Sequence, residues 1–331
     1  MGIKGLSKFI KEHVPSCITK KALSDLSGKI IAIDTNYYLY KYTISSDDFL
    51  TKFLKQYEHL RSYGIKPLYV FDGKPPTEKL QVIEKRKKVN QKKNILVSTD
   101  KIKCLKKHFD LSDIAYIECE AEADFICGKL SNEDLIYGCI SDDMDFLALG
   151  CKYLYRDYYQ YSSEITEYSL KEILCKYSKD KFIDICIFLG CDYCERVYDF
   201  VNRTLSIDVH DLFHKYLTLE NVWEFLYKNE MFLYVDEEKQ NLVIDKWGKA
   251  REILRNDNNF DFLNFYKKIV KVLETLDKLS DKIPCLIDFD IDSSTSDYTY
   301  IKINHPIKKN NYIINKKQID SVNRFNILSN C

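Results

Sequence analysis

The sequence predicts an α/β fold, with a mostly parallel central sheet flanked by helices and a mainly helical C-terminal region. Two observations carry that expectation. Over roughly the first 195 residues, short continuous apolar runs alternate with segments of helical periodicity, the pattern of βαβ units whose strands are covered on both faces. Most of those runs also end on or just before acidic residues, as strands do when they feed the crevice outside the carboxyl ends of a parallel sheet.

The elements follow in order. Residues 5–13 read as a short helix, and Ile-Ile-Ala-Ile-Asp at Ile30–Asp34 as a buried strand. Leu39–Leu60 is helical, with a break near Ser45-Ser46-Asp47-Asp48. Leu68–Asp72 is a second strand, stopped by the turn Asp-Gly-Lys-Pro-Pro. Residues 77–108 form a lysine-rich helical segment, Ile114–Glu118 a strand, and the helix after it opens on Glu120. Ile136–Ile140 and Tyr153–Arg156 are further strands, and Phe182–Leu189 is a helix closed by Gly190. Beyond residue 195 the periodicity is helical, with Phe265, Ile269, Leu273 and Leu276 at core spacing. From about Pro284 short strand-like runs mix with Asn- and Lys-rich loops.

Bulk properties narrow the class. With 331 residues, 45% of them hydrophobic, the chain can bury a large core and is not a disordered polymer. Fifty basic residues balance fifty acidic ones, so net charge says nothing about a polyanionic partner. The distribution does: Lys74 to Lys107 holds 12 Lys/Arg against Glu78, Glu84 and Asp100, a local +9. The twelve cysteines contain one Cys-x-x-Cys, Cys191 and Cys194, with no second pair at zinc spacing. No signal peptide or membrane-length apolar run is present, so reduced thiols and an intracellular, non-secreted protein are expected. The start Met-Gly-Ile-Lys-Gly-Leu carries Leu6 where myristoylation needs Ser or Thr, so Gly2 has another reason to be there.

The chemistry lies in seven acids: Asp34, Asp72, Glu120, Glu122, Asp143, Asp145 and Asp192. Brought to one sheet edge, they would repel one another strongly unless divalent cations neutralised them. An all-oxygen set suits Mg²⁺. Two such ions can hydrolyse a phosphodiester without a Ser or His nucleophile, and none of the six histidines lies in these blocks. Alone, an acid after a strand is more often a helix N-cap. Asp124 and Asp142 read as solvated or supporting acids. The run Lys85–Lys88 is open to three readings: a nuclear localisation signal, a solvated helix face, or a phosphate-tracking arch. Cys191 and Cys194 read as small apolar fillers. Asp288, Asp290 and Asp292 alternate like a calcium loop, but Ser293 and Thr299 stand where Gly and Glu are needed.

The blocks Met-Gly-Ile-Lys-Gly-Leu, Val-Phe-Asp-Gly-Lys-Pro-Pro (70–76), Glu-Ala-Glu-Ala (120–123), Asp-Asp-Met-Asp (142–145) and Leu-Gly-Cys-Asp-Tyr-Cys (189–194) resemble the flap endonuclease family. These are the XPG-type structure-specific 5′ nucleases. The resemblance covers about residues 1–195, in the family's order. It implies a PIN-like 5′ nuclease core with a basic arch at about 74–110, a helical DNA-binding region at 196–283 with a degenerate helix-turn-helix, and a divergent extension at 284–331. It also implies that the seven acids hold two Mg²⁺, for which Mn²⁺ can substitute, with Lys79 and Arg86 on the scissile phosphate. Tyr40 would stack a base beside the cut, Gly2 would lie near the metals, and Lys87, Lys88 and Arg203 would contact nucleic acid.

The chain also departs from the pattern. The segment from Asp72 to Glu120 is shorter than the family's arch, which leaves flap against nick or branch preference open. Asp199-Phe200-Val201-Asn202-Arg203 stands where the family has a Gly-Ile-Gly turn, so duplex cannot be gripped through the same backbone approach. Ile319–Phe325 is the nearest approach to a sliding-clamp peptide and lacks its leading Gln. The expected protein is a monomeric Mg²⁺-dependent endonuclease and 5′–3′ exonuclease. It would act on 5′-flapped, nicked or branched DNA in replication, recombination or repair, in the nucleus or at a site of viral replication. Abundant Lys, Asn, Ile and Tyr suggest an A/T-rich genome such as a large DNA virus. RNA degradation by a relative with the same metal site, and a non-catalytic DNA-binding scaffold, are the alternatives.

Overall fold

The computed structural model describes residues 2–45, 48–92, 97–194, 196–200, 208–231, 237–255, 269–276, 286–288 and 302–304. Residues 2–97 with 114–280 form one unit, and 98–113 with the C-terminal stretch from 281 another. Arg203, Phe265, Asp290, Asp292 and Ile319–Phe325 lie outside the described residues.

The first unit is built on seven strands: β1 (Ile18–Ala22), β2 (Ile30–Asp34), β3 (Lys66–Phe71), β4 (Tyr116–Glu118), β5 (Gly138–Ile140), β6 (Tyr153–Arg156) and β7 (Glu164–Ser169). They lie in the order β1-β7-β6-β5-β2-β3-β4. The four pairings β3–β4, β2–β3, β2–β5 and β5–β6 are parallel, whereas β7 pairs antiparallel with both β6 and β1. The mostly parallel sheet was expected, and its antiparallel flank was not. β1 reads Ile-Thr-Lys-Lys-Ala and buries none of its residues fully, an edge strand with no apolar run to announce it.

The described helices follow in chain order. They are α1 (Leu6–His13), α2 (Thr35–Ser45), α3 (Phe49–Ser62), α4 (Leu80–Lys92), α5 (Thr99–Leu111), α6 (Ala123–Asn132), α7 (Asp145–Ala148), α8 (Leu170–Lys176), α9 (Lys179–Leu189), α10 (Val209–Tyr216), α11 (Leu219–Lys228) and α12 (Glu237–Arg255). The second unit contains α5, capped by Ser98 and burying Leu105 and Phe109, and a ladder of Leu286–Asp288 against Lys302–Asn304.

Three boundaries differ from expectation. α2 begins at Thr35, directly after β2, because Asp34 Oδ1 accepts the Tyr37 N–H at 3.0 Å and so starts the helix itself. The lysine-rich segment divides into a 3₁₀ turn at Thr77–Lys79, then α4 and α5. The helix expected to open on Glu120 opens at Ala123, with Glu122 as its N-cap residue. Among the described residues, no helix is long and apolar enough to cross a membrane.

The core runs from the sheet through α9, buried from Phe182 to Leu189, to α10–α12. Ser178 caps the start of α9 and Gly190, at φ +102°, ends it. Trp247 of α12 is fully buried and meets Trp223 of α11 edge-on at 5.3 Å. Buried Asp184 ties these helices together. Its Oδ1 accepts from Arg251 Nε at 2.6 Å and its Oδ2 from the Leu219 N–H at 3.0 Å. Asp184→Ala strands both donors, and in urea unfolding it should lower stability by about 2–3 kcal/mol.

Candidate active site

The parallel strands deliver their ends to one edge, and the acids gather there. Asp34 ends β2 and accepts the Ser141 hydroxyl at 2.9 Å as well as the Tyr37 amide. Burial, then the nearby Asp72 carboxylate, pushes its carboxyl up to about 7. Asp72 follows β3 and accepts from Asn36 Nδ2 at 2.7 Å and the Ala123 N–H at 2.8 Å. Burial raises its carboxyl too.

Gly73 makes that junction possible. Its N–H donates to Ala121 O at 2.7 Å, and Lys74 N–H to Glu120 O at 3.0 Å, so the chain leaving β3 lies against Cys119–Ala121. A Cβ at Gly73 would stand 2.2 Å from Cys119 O and 2.5 Å from Glu120 C. Glu120 is exposed, whereas Glu122 is buried beside Tyr193, whose hydroxyl donates to it at 3.3 Å.

The loop after β5 carries Asp142, Asp143 and Asp145. Asp143 Oδ1 accepts the Asp145 N–H at 3.1 Å, and Asp145 Oδ1 accepts the Ile3 N–H at 2.8 Å. Asp145 is fully buried, and its Oδ2 has no hydrogen-bond partner. Burial raises both carboxyls; for Asp145 the neighbouring Asp143 and Asp192 add to it. Gly2 sits against this pair at φ +81°, where a Cβ would fall 1.9 Å from Asp143 Oδ1 and 2.8 Å from Asp145 Oδ1. Only glycine fits.

Two cations cross to these acids. Lys79 Nζ lies 2.6 Å from Glu122 Oε1 and 3.5 Å from Asp192 Oδ2. Arg86 Nη2 donates to both Asp192 oxygens, at 2.7 and 2.9 Å. Burial alone would lower the Lys79 pKa, but Asp124, Glu122 and Asp192 together raise it and keep the ammonium charged. The expected shared helix face is refined here: Lys79 ends the 3₁₀ turn and Arg86 lies one turn and a half into α4, yet both reach Asp192.

Lys87 and Lys88 are exposed on α4, and Lys88 pairs with Glu84 at 2.9 Å. Tyr40 is half-buried on α2, and the Tyr37 hydroxyl donates to Asp142 Oδ2. Asp142 also accepts from Lys41 at 3.3 Å and the Asp157 N–H at 3.0 Å. Burial opposes ionisation of Asp142, but those donors hold its carboxyl below the usual range. Asp124 is half-buried and not simply solvated. Burial, and then Glu122 and Asp72 working against Lys79, raise its carboxyl well above normal. Sequence reasoning also missed Asn36, Ser141 and Tyr193, polar residues beside the acid blocks that carry no spacing signal. Among the described residues, no three His, Cys, Asp or Glu side chains converge closely enough to hold an ion in this arrangement.

The fold is the PIN-like 5′ nuclease fold. The catalytic core of Rad2 in complex with DNA substrate superposes with a TM-score of 0.58 at 20% identity, over 83% of this chain and 86% of that one. Flap endonuclease-1 from Methanococcus jannaschii gives 0.52 at 19% identity, over 82% and 97%. Sequence adds the family. Residues 1–93 match the XPG N-terminal domain and 113–192 the XPG I-region. Flap endonuclease 1 of Entamoeba dispar is 30% identical over 304 residues, 76% of this chain and 81% of that protein. Its counterpart in Candida tropicalis is 30% identical over 306 residues, 75% and 80% of the two. The chain belongs to the flap endonuclease, or XPG-type, family of structure-specific 5′ nucleases, and is a phosphodiester hydrolase.

The close approach at Gly73 yields a test. Gly73→Ala forces β3's exit away from Cys119–Ala121, and a thermal melt should show a loss of about 1–3 kcal/mol.

Proposed function

We propose that the chain is a divalent-metal-dependent nuclease that cuts flapped or otherwise branched DNA during replication, recombination or repair. The observation that carries this reading is the concentration of Asp34, Asp72, Glu122, Asp143, Asp145 and Asp192 at one sheet edge, with Lys79 and Arg86 reaching the same acids. Structural neighbours solved with DNA, Rad2 and human GEN1 on a Holliday junction, support DNA as the polymer.

The residues fit hard cations. The donors are carboxylates alone, burial makes their bare charges costly, and Asp145 Oδ2 is a buried oxygen with no partner. Asp34, Asp72, Glu120 and Glu122 would hold one Mg²⁺ directly or through water, and Asp143, Asp145 and Asp192 a second. Bound there, such ions activate water and neutralise charge on the attacking and leaving oxygens. Glu122 and Asp192 hold Lys79 and Arg86 beside the acids, so a phosphate reaching them would meet two fixed cations. Those cations stabilise charge that grows as the phosphoryl group transfers. Gly2 keeps side-chain bulk away from Asp143, and residues 196–283 would face the duplex.

Cleavage of matched 5′-flap, nicked, duplex and RNA substrates with Mg²⁺ tests the reading. The flap should be cut fastest, and Asp143→Ala should lower the rate by at least about 10³-fold. A preference for single-stranded RNA, or an active Asp143→Ala, would overturn it. Lys79→Ala and Arg86→Ala should each lower kcat by about 10²–10³-fold with much smaller changes in substrate Kd. Equal losses in both would reduce them to anchors.

The raised carboxyls have a second consequence. A carboxyl with a folded pKa above the unfolded value of ~3.9 stabilises the fold at low pH and loses that contribution as pH rises through the folded value. With Asp34 pushed up to about 7, Tm in chelator should fall between roughly pH 4 and 7. Millimolar Mg²⁺ should recover most of that loss at pH 8.

A further inference from the structure

We propose that the loop joining β6 to β7 is a base-stacking platform, on which Tyr159 and Tyr161 receive unpaired bases of a DNA strand entering the carboxylate crevice. The proposal rests on the nuclease reading and extends it from phosphates to bases.

The sheet determines where this loop emerges. Because β2, β3, β5 and β6 run parallel, the residues after β6 leave the sheet at the edge that carries Asp34, Asp72 and Asp143. In the strand order, the segment bearing Lys79 and Arg86 follows β3 on one side of the β2–β5 pair, and the tyrosine loop follows β6 on the other. A direct bond joins this loop to the acid loop, since Asp157 N–H donates to Asp142 Oδ1 at 3.0 Å, one residue from Asp143.

The loop alternates between anchors and exposed rings. Tyr158 points inward, 3% exposed, with its hydroxyl 2.9 Å from His59 Nδ1 and its ring edge-on to Tyr38. Gln160 also points inward and donates to Lys52 O at 2.7 Å. Ser162 N–H closes a turn on Tyr159 O at 3.1 Å, and its hydroxyl donates to Glu164 O at 2.7 Å. Between these anchors Tyr159 is 64% exposed and Tyr161 92% exposed.

A single exposed tyrosine is ordinary. Two on one anchored loop, at the edge that gathers the acids, form a surface whose backbone entropy is already lost. A base stacking there forfeits little beyond ring rotation. The cations tied to the loop's contacts match a polyanionic strand: Lys41 pairs with Asp142 at 3.3 Å, and Lys52 supplies the carbonyl that Gln160 holds. Aromatic rings beside cations are how single strands are held without sequence preference.

The test uses the full-length protein and a 5′-flap DNA with 2-aminopurine in the unpaired arm. Binding and fluorescence quenching are read in chelator, and cleavage in Mg²⁺. Tyr159→Ala/Tyr161→Ala should weaken binding of the armed DNA about tenfold or more and abolish quenching. It should leave blunt-duplex binding and Tm unchanged, and Tyr159→Phe/Tyr161→Phe should behave as wild type. Unchanged quenching, or an equal loss on blunt duplex, would overturn the platform while the nuclease reading stands. A wild type that binds and quenches but cuts nothing with Mg²⁺ would overturn the nuclease reading and leave the platform.

Discussion

The repulsion among buried carboxylates is the constraint on which the rest of this structure depends. Asp34, Asp72, Glu122, Asp143 and Asp145 all have their carboxyls pushed upward, and burial is the first cause in every case. A fold gains nothing from crowding anions in a poorly solvated crevice. The molecule offsets the crowding with what the chain can supply. Backbone N–H groups of Ile3, Tyr37, Ala123 and Asp145 donate to carboxylates, as do Asn36, Ser141 and Tyr193. Lys79 and Arg86 bring positive charge to Glu122 and Asp192. A site so expensive to assemble and so rich in oxygen is one suited to hard cations and the phosphates they carry.

Two glycines beside the acids follow from that constraint. Gly73 allows the exit of β3 to touch Cys119–Ala121, which brings Asp72 within reach of the Ala123 amide. Gly2 leaves Asp143 free of bulk, while the next amide, of Ile3, is fixed on Asp145. The N-terminus and the loop after β5 are therefore one assembly, although 142 residues separate Ile3 from Asp145. Asp142 turns the other way, toward Tyr37, Lys41 and the β6–β7 loop, and links the acids to the tyrosines beside them.

Much of this was legible in the residues. Continuous apolar runs identified β2, β3 and β5, and the acids at their ends identified the sheet edge, because a doubly covered parallel strand has few other compositions. The antiparallel strands β1 and β7 were not legible: Ile-Thr-Lys-Lys-Ala and Glu-Ile-Thr-Glu-Tyr-Ser are polar enough to pass for loop. The start of α2 was missed because it is set by the Asp34 cap, a side-chain-to-backbone bond at the end of a strand. The seven acids were visible as positions, but their partners were not. Arg86 meets Asp192 across 106 residues of sequence, a contact that no local pattern encodes. Asp124 read as a solvated or supporting acid, and its electrostatic interactions with Lys79 and Glu122 make it a supporting one.

Family membership makes the chain a nuclease, and the crowded carboxylates supply the physical reason that metal should be needed. That link is the central claim, and counting bound ions tests it directly. Titration with Mn²⁺ at neutral pH, followed by electron paramagnetic resonance, should show two saturable ions per chain, with Asp145→Asn losing at least one. Absence of saturable binding, or an unchanged count in Asp145→Asn, would contradict the account.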